Sequence, residues 1–190
     1  LRSDERGKAT LHHEPLGVVG AITPWNTPIV LGISKIVQAL YTGNTLVLKP
    51  SPCAPLTTLR LGELARDLFP AGVLNLLAGD ADMGGWMTAH PDIDKISFTG
   101  SVRTGKAVMA ACAGTLKRFT LELGGNDAAI VLADNDPKEA APKIFQGAFQ
   151  NSGQVCIAIK RAYVHESIYD EMCDELAKLA KAAVVGDGLQ

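Results

Sequence analysis

The sequence predicts a doubly wound α/β fold: a mostly parallel, Rossmann-like sheet followed by the start of a second α/β unit. Three observations carry this. Short apolar, β-branched runs alternate with segments of helical period. Clusters of glycine and proline punctuate each change. The apolar runs are continuous rather than alternating, as in strands buried on both faces.

After a polar lead-in, Gly17 to Ile22 (GVVGAI) reads as the first strand. Pro24-Trp25-Asn26-Thr27-Pro28 breaks it, and Ile29, Ile33, Ile36, Val37 and Leu40 then recur at helical spacing until Thr42-Gly43-Asn44. Thr45 to Leu48 is the second strand, closed by Lys49-Pro50-Ser51-Pro52. A Leu-rich helix follows from Leu56 to Leu68, and Phe69-Pro70-Ala71-Gly72 turns into a third strand, Val73 to Leu77. Met83 to Ala89 reads as a helix, Lys95 to Phe98 as the fourth strand, Ser101 to Cys112 as a helix, and Arg118 to Leu121 as the fifth strand. Gly124-Gly125 marks a hinge. Beyond it Ala128 to Leu132 and Ala162 to Val164 read as strands, and Pro137 to Phe149 and Ser167 to Val184 as helices. The last carries Ile168, Met172, Leu176, Leu179 and Ala183 on one face and a Ser167/Asp170 capping box. The expected divisions are a lead-in over 1–15, a doubly wound α/β unit over 16–124 and the start of a second α/β unit over 125–190.

Composition narrows the function classes. At 190 residues, 47% hydrophobic and 20% charged, the chain can bury a core without staples. Eighteen Lys and Arg against 20 Asp and Glu leave a formal charge of −2, which argues against a nucleic-acid partner. Cys53, Cys112, Cys156 and Cys173 form no CxxC pair and no regular spacing, so a reducing, cytoplasmic setting is expected, without zinc or disulfides. His12-His13 makes a poor metal site, because neighbouring side chains on an extended chain point oppositely. No apolar stretch reaches the roughly 20 residues of a membrane span. The opening Leu-Arg-Ser-Asp-Glu-Arg has neither an initiator Met nor a leader, so the chain is read as a candidate fragment.

A parallel sheet binds ligands beyond the carboxyl ends of its strands. Those positions hold Trp25-Asn26, Lys49-Pro50-Ser51, Thr99-Gly100-Ser101 and Glu122-Leu123-Gly124-Gly125. Each has a plain reading beside a functional one. Ser101 either caps a helix or offers that helix's amides to a phosphate approached across Gly100. Lys49 is a solvated strand end or a cation for ribose or phosphate. Gly124-Gly125 is a turn or part of a site. Glu122 follows an apolar strand and precedes two glycines, where a carboxylate faces a cleft. Cys156 follows Asn151-Ser152-Gly153-Gln154-Val155, a loop-like lead-in, and is a buried small residue or a nucleophile. The other three cysteines read as structural. No GxGxxG occurs, so any dinucleotide binds without that fingerprint.

Together, Pro24-Trp25-Asn26, Lys49-Pro50-Ser51, Phe98-Thr99-Gly100-Ser101, Glu122-Leu123-Gly124-Gly125 and Gly153-Gln154-Val155-Cys156 resemble the aldehyde dehydrogenase superfamily in order and spacing. The resemblance runs from Glu14-Pro15-Leu16-Gly17 to Val185-Gly186-Asp187 and covers less than half of a typical member. It implies an NAD- or NADP-dependent oxidation of an aldehyde to a carboxylic acid. In that reading Cys156 is the nucleophile, Asn26 with the Cys156 backbone N–H forms the oxyanion hole, and Glu122 is the general base. It further implies coenzyme contacts at Ile22, Thr23, Pro24 and Trp25, at Lys49 and Ser51 beside the adenosine ribose, and at Ser101 beside the pyrophosphate. Thr99, Gly100, Leu123, Gly124, Gly79 and Thr104 join them by position. Pro52 stands where many members have a ribose-binding glutamate, which leaves NAD against NADP open, and Asn126 stands where a lysine is frequent. Lys8 to His13 resembles part of a pairing hairpin, so the parent enzyme is expected to be a homo-oligomer. Two alternatives stand beside this reading: a cofactor-binding module without turnover, and acylating chemistry with coenzyme A, against which Glu122 argues.

Overall fold

The computed structural model describes residues 2–4 and 7–188; Leu1, Glu5 and Arg6 of the expected lead-in, and Leu189 and Gln190 at the far end, lie outside the described residues. The chain divides between Leu123 and Gly124 into two compact units.

In the first unit, β1 (Arg2–Asp4) pairs antiparallel with β2 (Gly7–Ala9). Five strands then form one parallel sheet: β3 (Val18–Ile22), β4 (Thr45–Lys49), β5 (Leu74–Leu76), β6 (Lys95–Thr99) and β7 (Arg118–Glu122). Their order is β5-β4-β3-β6-β7. The chain builds outward from β3 to β5, then returns to the far side of β3 with β6, so the strand order reverses between β3 and β6. Crossovers are made by α1 (Pro28–Tyr41), α2 (Leu56–Ala65), α3 (Ala81–Ala89) and α4 (Val102–Ala113).

Alternation along the strands splits the core into two layers. Val19, Ala21, Leu46 and Leu48 face α1, packed with Ala39, Ile36 and Leu40. Ile96 and Phe98 face the other way, against Met87, Val108 and Cys112 of α3 and α4, with Ile22, Val47 and Leu121 beside them. Fully burying each Leu or Ile contributes roughly 1.5–3 kcal/mol, which is why β3, paired on both edges, is apolar on both faces. α2 joins α1 on its face, where the Thr58 hydroxyl donates to the Pro28 carbonyl at 3.4 Å.

Two local expectations change. In α1, Gly32, Lys35 and Ala39 are buried and Ile36 and Leu40 pack half-buried against the sheet, whereas Ile29, Val30, Ile33 and Val37 are exposed. Small residues let the helix approach the sheet closely, and Lys35 finds a polar partner beneath it, so apolar count alone does not set the rotation of α1. α2 ends at Ala65 instead of Leu68, because Arg66 to Leu68 tighten into turns with Arg66 N–H bonded to Glu63 O and Leu68 N–H to Ala65 O.

In the second unit, β8 (Asp127–Val131) and β9 (Ile159–Val164) pair in parallel, and α5 (Pro137–Phe149) and α6 (Tyr169–Ala182) pack around Val131, Ala141, Ile144 and Met172. β9 begins three residues before the strand expected at Ala162. The expected Ser167 cap is replaced: a short 3-10 turn over Glu166–Ile168 precedes α6, and the His165 Nδ1 accepts the Ser167 amide at 3.2 Å.

Candidate active site

The reversal between β3 and β6 is where an open parallel sheet holds its ligand. Thr23 continues β3 by one residue, its amide donating to Lys49 O at 3.1 Å. Pro24, the half-exposed Trp25 and Asn26 then carry the chain over the edge to α1. In β6, Thr99 pairs with Glu122 of β7, and the Gly100 amide donates to Glu122 O at 3.0 Å. By alternation Thr23, Thr99 and Glu122 all stand on the α1 face of the sheet. The hydroxyl oxygens of Thr23 and Thr99 are buried without a hydrogen-bond partner among the described residues. Such groups cost about 1–3 kcal/mol each when left unmet, and two of them lie side by side at the reversal point.

Lys35, which the sequence reading passed over, is buried on that same face, and its Nζ donates to Ser97 Oγ at 2.9 Å. Burial pushes its ammonium down to about 8; the Glu122 carboxylate partly counters this, and the Lys95 charge adds to it. Lys35 and Glu122 thus feel one another across the end of the sheet. The signal in the sequence was a lysine three and four residues from Gly32 and Ala39, on a stripe too small for large side chains.

The opposite face of the same edge carries a second group. Lys49 ends β4 on the α3 and α4 side, buried, with its Nζ bonded to Pro50 O at 3.3 Å. Burial lowers its pKa while the Asp80 carboxylate raises it. Ser51 is buried and its Oγ accepts the Cys53 amide at 3.2 Å. Ile22 turns towards this layer. Gly79 leads into Asp80, which caps α3 by accepting the Asp82 amide at 3.1 Å. Ser101 caps α4: its Oγ accepts the Thr104 amide at 3.2 Å and lies 3.0 Å from Thr104 Oγ1. The helix itself offers no acceptor to the amides of Val102 and Arg103, leaving donors and a positive dipole end at the surface. Gly100 has a packing reason as well, since a Cβ there would meet the Phe98 ring at 2.5 Å, and Gly105 makes room for Leu123. Nothing crowds Gly124 within 4 Å. A cleft of about 370 Å³ opens instead at the amino ends of the strands, lined by Pro15, Asp94, Lys117 and Arg118. It lies away from these residues, and Lys117 there closes α3 by donating to the carbonyls of Thr88 and His90.

In the second unit, Cys156 is exposed in the turn between α5 and β9. Asn151, Ser152 and Gly153 before it adopt left-handed backbone, with φ of 52°, 55° and 74°. Two consecutive non-glycine residues there are costly, and such strain collects at functional loops. Ala158 N–H closes the turn onto Val155 O at 3.0 Å, and Lys160 Nζ donates to the carbonyls of Val155, Cys156 and Ala158. A Cβ on Gly125 would meet the Cys156 carbonyl oxygen at 2.6 Å, so the chain entering β8 passes that turn only as glycine. Asn126 offers its carbonyl to the Arg161 guanidinium. Among the described residues no group of three or more His, Cys, Asp or Glu is placed to hold a metal, and no helix is long and apolar enough to cross a membrane.

The family model described as "Aldehyde dehydrogenase family" matches residues 1–190. The chain belongs to the aldehyde dehydrogenase family. It is 47% identical over 186 residues to a putative aldehyde dehydrogenase of Gibberella fujikuroi, covering 98% of this chain and 40% of the relative. With the phenylacetaldehyde dehydrogenase of Pseudomonas fluorescens it shares 47% over 192 residues, covering 100% of this chain and 38% of that protein. The NAD+ complex of an aldehyde dehydrogenase from Bacillus cereus superposes with a TM-score of 0.92 at 44% identity, covering 94% of this chain and 37% of that one. This aldehyde dehydrogenase chain thus spans 38–40% of the length of those two curated relatives. A nicotinamide dinucleotide fits the first unit: partnerless hydroxyls at the strand reversal, a buried lysine at the end of β4 and a capped helix N-terminus at α4 supply the donors that its polar groups need.

Proposed function

We propose that the chain carries the coenzyme-binding and nucleophile-bearing parts of an NAD(P)-dependent aldehyde dehydrogenase, residues 16–124 serving the coenzyme and the segment from Gly125 onward supplying the nucleophile. The observation that supports it most is the gathering of Thr23, Thr99, Glu122 and Lys35 at the strand reversal, with two buried hydroxyls left for a ligand.

In this reading the Cys156 thiolate adds to the aldehyde carbon, and the carbonyl electron pair moves to oxygen. The Asn26 side-chain amide and the Cys156 backbone N–H donate to that oxyanion. A nicotinamide held beside Thr23 and Trp25 would supply the hydride acceptor for oxidising this adduct, which leaves a thioester on Cys156 as the carbonyl double bond re-forms. Glu122 takes a proton from water, which attacks the thioester; the acid departs and the thiolate returns. Lys35 stands on the same face of the sheet as Glu122, hydrogen-bonded to Ser97. Ile22, Thr23, Pro24 and Trp25 line the coenzyme, Lys49 and Ser51 hold the adenosine ribose, and Gly79, Thr99, Gly100, Ser101, Thr104, Leu123 and Gly124 complete its surroundings.

The full-length protein carrying Cys156→Ala tests this: aldehyde-dependent reduction of NAD or NADP is expected to vanish while coenzyme still binds, and retained turnover ends the assignment. Asn26→Ala is expected to lower the rate about 100 to 1,000-fold, the usual cost of one oxyanion donor. The share of the relatives' length that the chain spans favours a second reading for the 190 residues by themselves, coenzyme binding without turnover; titration and an aldehyde assay on the same sample separate the two. A reducing, cytoplasmic setting belongs to this reading, with the four cysteines as thiols. Self-association through the Lys8 to His13 segment is checked by sedimentation.

A further inference from the structure

The coenzyme's two forms differ by a 2′-phosphate on the adenosine ribose, and the edge that would meet it has an unusual charge arrangement. Lys49 at the end of β4 is the cation there, buried and bonded only weakly, at 3.3 Å, to the adjacent Pro50 carbonyl. The loop that follows, Pro50-Ser51-Pro52-Cys53-Ala54-Pro55, contains no carboxylate. The neighbouring strand supplies one. β5 lies beside β4, with Leu76 paired to Leu48 and Leu77 N–H bonded to Leu48 O, and the chain leaving β5 reaches Asp80, the N-cap of α3. Because Leu48 faces α1, Lys49 faces the α3 and α4 layer, where Asp80 begins α3. Asp80 is also the carboxylate whose charge Lys49 feels most.

Resting on the coenzyme-binding reading above, we infer that Asp80 is the specificity-determining residue that makes this chain prefer NAD to NADP. One carboxylate oxygen accepts the Asp82 amide; a carboxylate keeps further acceptor positions, which take the ribose 2′-hydroxyl held beside Lys49. A 2′-phosphate brings a charge of nearly −2 to the same place and has no hydrogen to give, so Asp80 repels it and Lys49 alone must offset both. The acid thus comes from the third strand of the winding, whereas the usual dinucleotide fold places it after the second. Its capping role hides it: an aspartate beginning a helix needs no other explanation.

Asp80→Asn separates the two roles, because asparagine caps a helix as well as aspartate but carries no charge. Calorimetric titration of the full-length protein with NAD and with NADP gives the ratio of the two dissociation constants. The wild type is expected to bind NAD at least about 10-fold more tightly, and Asp80→Asn to shrink that ratio about 5- to 10-fold, the scale of one partly exposed like-charge contact. Asp80→Ser, another capping residue, is expected to do the same, and Asp82→Asn, in the first turn of α3, to leave the ratio unmoved. A wild type that favours NADP, or a ratio unchanged in both Asp80 variants, overturns this inference while the coenzyme-binding reading stands. Binding of neither nucleotide overturns both.

Discussion

The Nζ of Lys35 on α1 donates to the Oγ of Ser97 on β6 at 2.9 Å, joining residues 62 apart in the chain beneath a helix packed on the sheet. Few features of the molecule are as costly. The ammonium has lost most of its water, and the hydroxyl it meets is neutral, so the charged form is held mainly by the Glu122 carboxylate at the end of β7.

That cost gives a pH dependence with a definite sign. The folded-state pKa lies near 8, below the ordinary 10.5, so between those values the unfolded chain holds more protons and stability rises with pH. The penalty is fully present below pH 8 and gone above the unfolded value; a shift of this size corresponds to about 3 kcal/mol. Lys35→Met, of similar length, is expected to stabilise the fold at pH 7 by about 1–2 kcal/mol after the lost Ser97 bond is counted. Its advantage in chemical denaturation is expected to fade from pH 8 to 10.5. An advantage that does not vary with pH rules this account out.

Asn44 fastens the entry to β3 onto the end of α1. Its Oδ1 accepts the amides of Leu16 at 2.6 Å and Gly17 at 3.0 Å, and its Nδ2 donates to Ala39 O and Thr42 Oγ1. Asn44→Ala strands several of these groups in a buried place and is expected to cost about 2–4 kcal/mol, read as a lower urea midpoint. A loss under about 0.5 kcal/mol would show that water replaces the amide freely.

Gly125→Ala brings a methyl against a backbone carbonyl that cannot swing aside, that of Cys156. The expected cost is about 1–3 kcal/mol, seen as faster hydrogen exchange from Gly153 to Ile159. Unchanged exchange there would mean that the turn yields without strain.

Ser101 separates stability from ligand binding. Ser101→Ala removes the cap on α4 and is expected to cost about 1 kcal/mol. Ser101→Asp keeps the cap and the stability but sets a negative charge where the coenzyme's pyrophosphate is proposed to lie, so NAD binding is expected to weaken at least about 10-fold. Equal NAD affinity in wild type and Ser101→Asp would place the phosphates elsewhere.

Much of the layout was legible because the central strands β3, β4 and β6 are short runs buried on both faces and each crossover begins or ends on a proline, glycine or capping residue. The cap at Ser101 and the helix opening at Pro137 lie where local chemistry puts them. Misreadings arose where local chemistry competed with distant partners. Ser167 offers a cap, yet His165 takes its amide and delays α6 to Tyr169. The apolar residues of α1 recur at helical spacing, yet only Ile36 and Leu40 of them pack on the sheet, beside the buried Gly32, Lys35 and Ala39. No sequence pattern marks Asp80, because its relation to Lys49 depends on β5 lying beside β4.

The amino-acid order by itself determined the alternation of strand and helix, the parallel winding and the residues at the strand ends, since these follow from hydrophobic period and turn chemistry acting over a dozen residues. The tertiary structure alone decided which of those ends share a face, that Lys35 stands over Ser97 and near Glu122, and that the hydroxyls of Thr23 and Thr99 find no partner among the described residues. Those are contacts between segments tens of residues apart. Their energies come from burial and charge at short range, which no local pattern encodes.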